Sequence, residues 1–283
     1  MSQFGVSPAF VFSRHTTRFT VDDFCASLVA AHRLGFTCYQ PEVYFGDTLA
    51  EWTNGGAARV YQAGRDLGLH PSQFVAHFLM ERFSTPETIT SSADLDLLKR
   101  AVAVARAFAT CWVFTVAIGP LTLPDGPLLT PTAYADLRQR LVDKLRAYLQ
   151  IVTAANLSLA LEILPFSLVG NLEGFLRLAD EIASPHLGIN LDTGHAWAGG
   201  ELMATIPARL NGRILGLHLK DRTNEHTRSL PPGQGAIPWL PFLRNLRAAG
   251  YSGSLDLELV CPPEAVDAEY SAGRDFLQSL NLD

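Results

Sequence analysis

Short apolar runs recur along the chain, and the longer stretches between them carry apolar residues three and four positions apart. The runs have strand length and composition at Phe4–Phe12, Phe36–Val43, Gln73–Phe78, Trp112–Ile118, Leu157–Leu164, Leu187–Asp192, Ile214–Lys220 and Ser254–Val260. The stretches between them predict helices. In TVDDFCASLVAAHRLG, Thr20 caps the start, Asp22 and Asp23 sit in the first turn, and Gly35 stops the end. Phe24, Leu28 and Ala31 then share one face. Gly250 closes the helix before the last strand in the same way.

Regular strand and helix alternation implies parallel strands joined by right-handed crossovers. Eight such units in 283 residues predict an α/β protein, a single (β/α)8 TIM barrel over residues 1–283. An open doubly wound sheet is the rival topology. No G-x-G-x-x-G follows the first strand, which removes the dinucleotide-binding reason for preferring it. The glycines of PPGQGAIPW read as turn residues, and residues 118–131 as one long loop after the fourth strand. No internal repeat or dividing linker interrupts the rhythm.

The last four strands carry the chemical signal. One side of each is Leu or Ile throughout, while the other reads Ser158, Ala160, Glu162; Gly188, Asn190, Asp192; Ile214, Gly216, His218, Lys220; and Ser254, Asp256, Glu258. The apolar sides suit packing under the outer helices. The small and polar sides would face the barrel interior and end in ionisable groups at the C-terminal mouth, where barrel enzymes place their chemistry. A polar sheet face turned to solvent also alternates, but it favours Thr, Lys and Arg over glycines that lead to acids. Glu162, Asp192, His218 and Glu258 therefore converge. Three carboxylates packed together repel unless a cation sits among them. Oxygen ligands with one imidazole suit one divalent ion such as Mn²⁺, Mg²⁺ or Co²⁺, with Zn²⁺ also admissible.

LEILPF, INLDTGHAWAGG, LHLKD, PPGQGAIPW and LDLEL, in this order and spacing, resemble the xylose-isomerase-like TIM barrels. That family includes sugar isomerases and epimerases, inosose dehydratases, hydroxypyruvate isomerases and endonuclease IV-type DNA repair enzymes. The resemblance is specific over residues 157–260 and generic before that. It implies that Glu162, Asp192, His218 and Glu258 bind one divalent metal, that Glu162 and Glu258 also serve as acid and base, and that His195 and Arg228 contact substrate. Departures narrow the choice. Strand two ends at Gln40 where relatives often carry an acid, with Glu42 two residues later, and strand four offers no histidine for a nuclease-type cluster of three metals.

Other polar positions have two readings each. His77 is either a substrate contact at a strand end or a packed core histidine. Lys220 either holds a substrate oxygen or pairs with an acid such as Asp256, itself read as a buried structural carboxylate one layer below Glu258. Trp197 reads as pocket wall and Trp239 as helix-start packing. His15, His32, His70 and His186 fall on surfaces or loop ends.

Composition changes the picture little. A formal charge of −6 offers no basic footprint, so no nucleic-acid partner is expected. The apolar run at 101–119 is long enough to raise a membrane span, but Arg106 in its middle and the change of composition near Cys111 predict a helix feeding a buried strand. The start of the chain lacks a signal-peptide pattern, and four scattered cysteines suggest neither a zinc knuckle nor a disulfide framework; a reducing cytoplasm fits. The expected activity is metal-dependent proton transfer through an enediolate on a ketose, aldose or related polyol ketone, in a sugar isomerase or epimerase. A sugar or inosose dehydratase is the close competitor, followed by a phosphodiesterase and a non-enzymatic carbohydrate-binding barrel. A small carbohydrate is the expected partner, and the resemblance adds a homo-oligomer with no contact surface marked.

Overall fold

The computed structural model describes residues 3–124, 129–224 and 229–281. Eight parallel strand positions alternate with helices. They are β1 (Phe4–Val6), β2 in two pieces (Cys38–Tyr39 and Glu42–Val43), β3 in two pieces (His70–Pro71 and Phe74–Ala76), β4 (Val113–Ile118), β5 (Ser158–Ile163), β6 (Leu187–Asp192), β7 (Ile214–His218) and β8 (Leu255–Leu257). Each strand pairs with its neighbour in sequence, and β1 also pairs with β8. A parallel bridge from Leu219 to Leu257 joins β7 to β8 and completes the ring. The closed barrel is therefore the architecture, and the open sheet is excluded.

The helices form where their sequences specify them. Thr20 caps Val21–Arg33 in a reciprocal box with Asp23, worth about 1 kcal/mol, and Gly35 follows the helix with φ of 78°. Phe24, Leu28 and Ala31 are its buried face, packed with Trp52 and Tyr39. Leu95–Ala105 is the helix that feeds β4, and among the described residues no helix is long and apolar enough to cross a membrane. Leu159, Leu161, Leu187, Ile189, Leu191 and Leu217 are buried on the helix side, with Ile163 and Leu215 half-buried there.

The first three strands are shorter or more broken than their apolar runs suggest, and β8 keeps only Leu255–Leu257 of the run Ser254–Val260. β1 stops at Val6, and Ala9–Arg14 is a helix. Pro8 has no N–H to continue a ladder, Ser7 Oγ takes the Ala9 N–H at 3.2 Å, and Phe10 and Val11 are buried from a helical face instead. β3 turns at Ala76 into a 3₁₀ helix, His77–Phe83. The interruptions in β2 and β3 fall at Gln40–Pro41 and Ser72–Gln73, at one level of the barrel. Backbone bonds from Ser72 N to Tyr39 O and from Val75 N to Pro41 O, both 2.9 Å, carry the pairing across.

At that level the interior is polar. Gln40 and Ser72 each bond Asp256 at 2.7 Å, while Gln73 bonds Asn190 at 2.8 Å and accepts from Thr115 at 2.5 Å. These bonds satisfy most of the buried groups, as removal from water demands, and leave Asn190 Nδ2 and Asp256 Oδ1 without a partner. Gly5 of β1 lies opposite Asp256 in register, and a Cβ there would overlap the Asp256 carboxylate. Gly5→Ala should therefore cost about 1–3 kcal/mol through overpacking, read as a lower urea midpoint at unchanged slope; an unchanged midpoint would show that the layer has slack.

Candidate metal centre

Glu162 near the end of β5, Asp192 and His218 at the ends of β6 and β7, and Glu258 just past β8 bring one ligand atom each to within 4.8 Å of one another. Asp192 and His218 are direct partners in the ladder. His218 Nδ1 lies 3.2 Å from Glu162 Oε1 and 3.1 Å from Glu258 Oε1. Glu162, Asp192 and His218 are buried, and Glu258 is partly so.

The DTGH turn builds this corner one residue at a time. Asp192 Oδ1 accepts the His195 N–H at 2.8 Å and so caps the short helix Thr193–Ala198. Its other oxygen, Oδ2, stays buried without an aligned hydrogen bond and faces Lys220 Nζ at 2.6 Å and His195 Nε2 at 3.4 Å. Capping occupies one oxygen of the carboxylate and leaves the other free to meet a cation. Thr193 Oγ1 donates to Lys220 O at 2.7 Å and accepts from Lys220 N at 3.0 Å, tying β6 to the strand that carries His218. Gly194 leaves room for the Lys220 stem, which a Cβ would meet at 2.8 Å.

Lys220 does not pair with Asp256. Its ammonium lies 2.6 Å from both Asp192 Oδ2 and Glu258 Oε2, because Asp256 is already held by Gln40 and Ser72 below. His195 Nε2 stands 3.7 Å from Glu162, on the inner side of its helix. His77 is not a packed core histidine: it stacks on Tyr44 at 4.0 Å, is 31% exposed, and lies 3.7 Å from Glu42 on the wall formed by β2 and β3. Arg228 lies outside the described residues. Trp197 is half-buried with its N–H on Asn224, and Trp239 is buried at a helix start with its N–H on Asp221. The glycines of PPGQGAIPW serve that same Asp221, which accepts the Gly233 and Ile237 N–H groups.

The charges answer one another. Burial works against ionising Glu162 and Asp192, yet His218 beside the former and His195 and Lys220 beside the latter hold both below the usual carboxylate range. Burial pushes Glu258 up to about 7 despite His218 and Lys220. Burial opposes a charge on His218, but Glu258 and Glu162 outweigh it and lift the imidazole to about 10. Burial lowers His195 and His77. Three carboxylate oxygens and one imidazole nitrogen converging around a buried, unbonded Asp192 oxygen match the donor set of a divalent cation.

Sequence reasoning passed over Glu42 as a site residue. It is 2% exposed with Oε2 unbonded, and burial together with Glu258 raises it well above the ordinary carboxylate range. Its position at the C-terminal end of β2 was the available signal.

The family model described as xylose isomerase-like TIM barrel matches residues 28–280, and the chain belongs to that family. L-ribulose-5-phosphate 3-epimerase UlaE of Escherichia coli strain SMS-3-5 is 22% identical over 262 residues, 89% of this chain and 88% of the relative. For the same enzyme of strain Crooks the identity is 24% over 191 residues, 65% of this chain and 63% of the relative's length. Among solved structures, the 3-keto-D-glucoside 4-epimerase YcjR of E. coli superposes with a TM-score of 0.75 at 17% identity, covering 99% of this chain and 100% of that one. IOLI protein with a bound zinc atom gives 0.74 at 15%, covering 99% of both.

The raised groups set a pH dependence. A proton on His218 stabilises the folded chain fully below the ordinary 6.5, and this is lost as pH rises through about 10; Glu258 acts in the same sense between 4.5 and about 7. With a chelator present, the melting temperature should fall as pH rises from 6.5 towards 10. A flat or rising profile in the parent, or an equally steep fall in His218→Asn, would contradict this assignment.

Proposed function

We propose that this chain is a divalent-metal-dependent sugar epimerase or isomerase that moves a proton on the carbon next to a ketone. The observation that carries the reading is the meeting of Glu162, Asp192, His218 and Glu258 at one point of the barrel mouth. The related enzymes agree in chemistry: a ketose 3-epimerase and a 3-keto-glucoside 4-epimerase both invert the carbon adjacent to a carbonyl, and IOLI protein holds a zinc atom. A bound divalent ion would supply Lewis-acid polarisation of the substrate carbonyl.

Glu162 and Glu258 flank the same nitrogen of His218 from strands three places apart on the ring. That placement lets one carboxylate take the proton from one face of the carbon while the other returns a proton to the opposite face. His195 and Lys220 stand beside the two carboxylates, where they hold substrate oxygens, and His77 contributes from the wall of β2 and β3. Arg228 is retained as a substrate contact on the family resemblance. The substrate is a small carbohydrate with a carbonyl and a neighbouring hydroxyl.

The test is solvent exchange. Metal-charged protein in D₂O is incubated with L-ribulose, L-ribulose 5-phosphate, D-fructose and D-allulose, the metal is chelated, and the sugars are read by NMR. Deuterium should enter the carbon next to the carbonyl in at least one of them. Glu162→Gln and Glu258→Gln should each lower turnover by about 10²–10⁴-fold. Wild-type turnover in either variant would remove the two-carboxylate mechanism, and loss of water from the sugar would assign the site to dehydration.

A further inference from the structure

We propose that Gln40 is a positioning residue that makes His218 present Nδ1 to the metal centre, with Asp256 and Ser72 fixing the sense of the Gln40 amide. The inference rests on the metal-centre reading above and concerns Gln40, Ser72 and Asp256, which are not among the four candidate ligands.

The argument is one of donors and acceptors. His218 Nε2 lies 2.8 Å from Gln40 Oε1, and the Gln40 amide nitrogen donates to Asp256 Oδ2 at 2.7 Å. Ser72 Oγ donates to the same Oδ2, also at 2.7 Å. An amide has one acceptor and one NH₂ group. Because the NH₂ is spent on the carboxylate, the oxygen is what remains for His218, so Nε2 must carry the hydrogen. Turning the amide over would set its oxygen against a carboxylate oxygen at that same 2.7 Å spacing, two acceptors without a proton between them. Nδ1 is left as the nitrogen facing Glu162 and Glu258.

The supports of this strut come from four strands. Gln40 sits at the interruption of β2 just before Pro41, Ser72 at the interruption of β3, Asp256 in β8, and His218 at the end of β7. Gln40, Asp256 and His218 are each 1% exposed, so water does not substitute for the bonds among these three. Gly5 of β1 leaves the space that the Asp256 carboxylate fills. An acid at position 40 would place two carboxylates in contact, which accounts for an amide there.

Partners of this kind typically alter metal affinity by about 10–100-fold when removed. Mn²⁺ is titrated into the full chain and into Gln40→Met and Ser72→Ala, with free Mn²⁺ read by electron paramagnetic resonance. The Zn²⁺-loaded protein, labelled with ¹⁵N-histidine, is read by NMR. Gln40→Met should weaken Mn²⁺ binding by about 10–100-fold, with a smaller loss in Ser72→Ala. The wild-type His218 signals should show the proton on Nε2 and the metal on Nδ1, a signature that a merely structural role for Gln40 does not require. A Gln40→Met affinity within about twofold of wild type, well short of the loss expected for such a partner, or a wild-type proton on Nδ1, overturns the proposal while leaving the metal centre intact. If Gln40→Met does not fold, the wild-type tautomer and Ser72→Ala decide. Wild-type protein that takes up neither ion removes the metal centre and the strut together.

Discussion

Mutual repulsion of three buried carboxylates is the constraint from which the rest of this molecule follows. At separations of ~4–5 Å and an effective dielectric near 20, each pair of ionised groups costs about 3–4 kcal/mol, or roughly 10 kcal/mol for three pairs. That is comparable to the whole stability of an ordinary domain. The chain brings its own cations to the place: the Lys220 ammonium bridges Asp192 and Glu258, and the His218 imidazole lies between Glu162 and Glu258. Such concentration of acid has no structural benefit that leucines would not supply better. It marks a site that could hold a stronger cation.

The barrel divides its labour by layer. Outside the ring, leucines and isoleucines of β5 to β7 meet the helices and supply the apolar burial that stabilises the fold. Inside, a polar layer of Gln40, Ser72, Gln73, Thr115, Asn190 and Asp256 lies beneath the acidic mouth. Through these bonds the layer converts strand geometry into fixed orientations of the groups above it. The breaks in β2 and β3 therefore sacrifice ladder regularity at the level where the interior changes from packing to positioning.

Much of this was legible in the chain because period-two alternation is strong in β5 to β8, where one side is uniformly apolar. β6 begins and ends where its apolar run does, and Glu162, Asp192, His218 and Glu258 meet as their register requires. The first three strands were less legible. In Phe4–Phe12 a strand and a buried helix share one apolar run, and periodicity cannot separate them across Ser7 and Pro8. Gln40 and Ser72 look like ordinary polar residues because their partners, His218 and Asp256, lie some 180 residues away in sequence. For Lys220 the sequence offers Asp256 as one of two readings, because parity places Asp256 and Glu258 on the same side without saying which one is already satisfied.

Placement of a divalent ion among these four residues is the claim on which the functional reading stands. Anomalous diffraction from crystals grown with Mn²⁺ tests it most directly. The expected result is one peak per chain, between Glu162, Asp192, Glu258 and the Nδ1 side of His218. Full Mn²⁺ soaks that leave this position without anomalous density, or that place the ion on other side chains, would contradict the account.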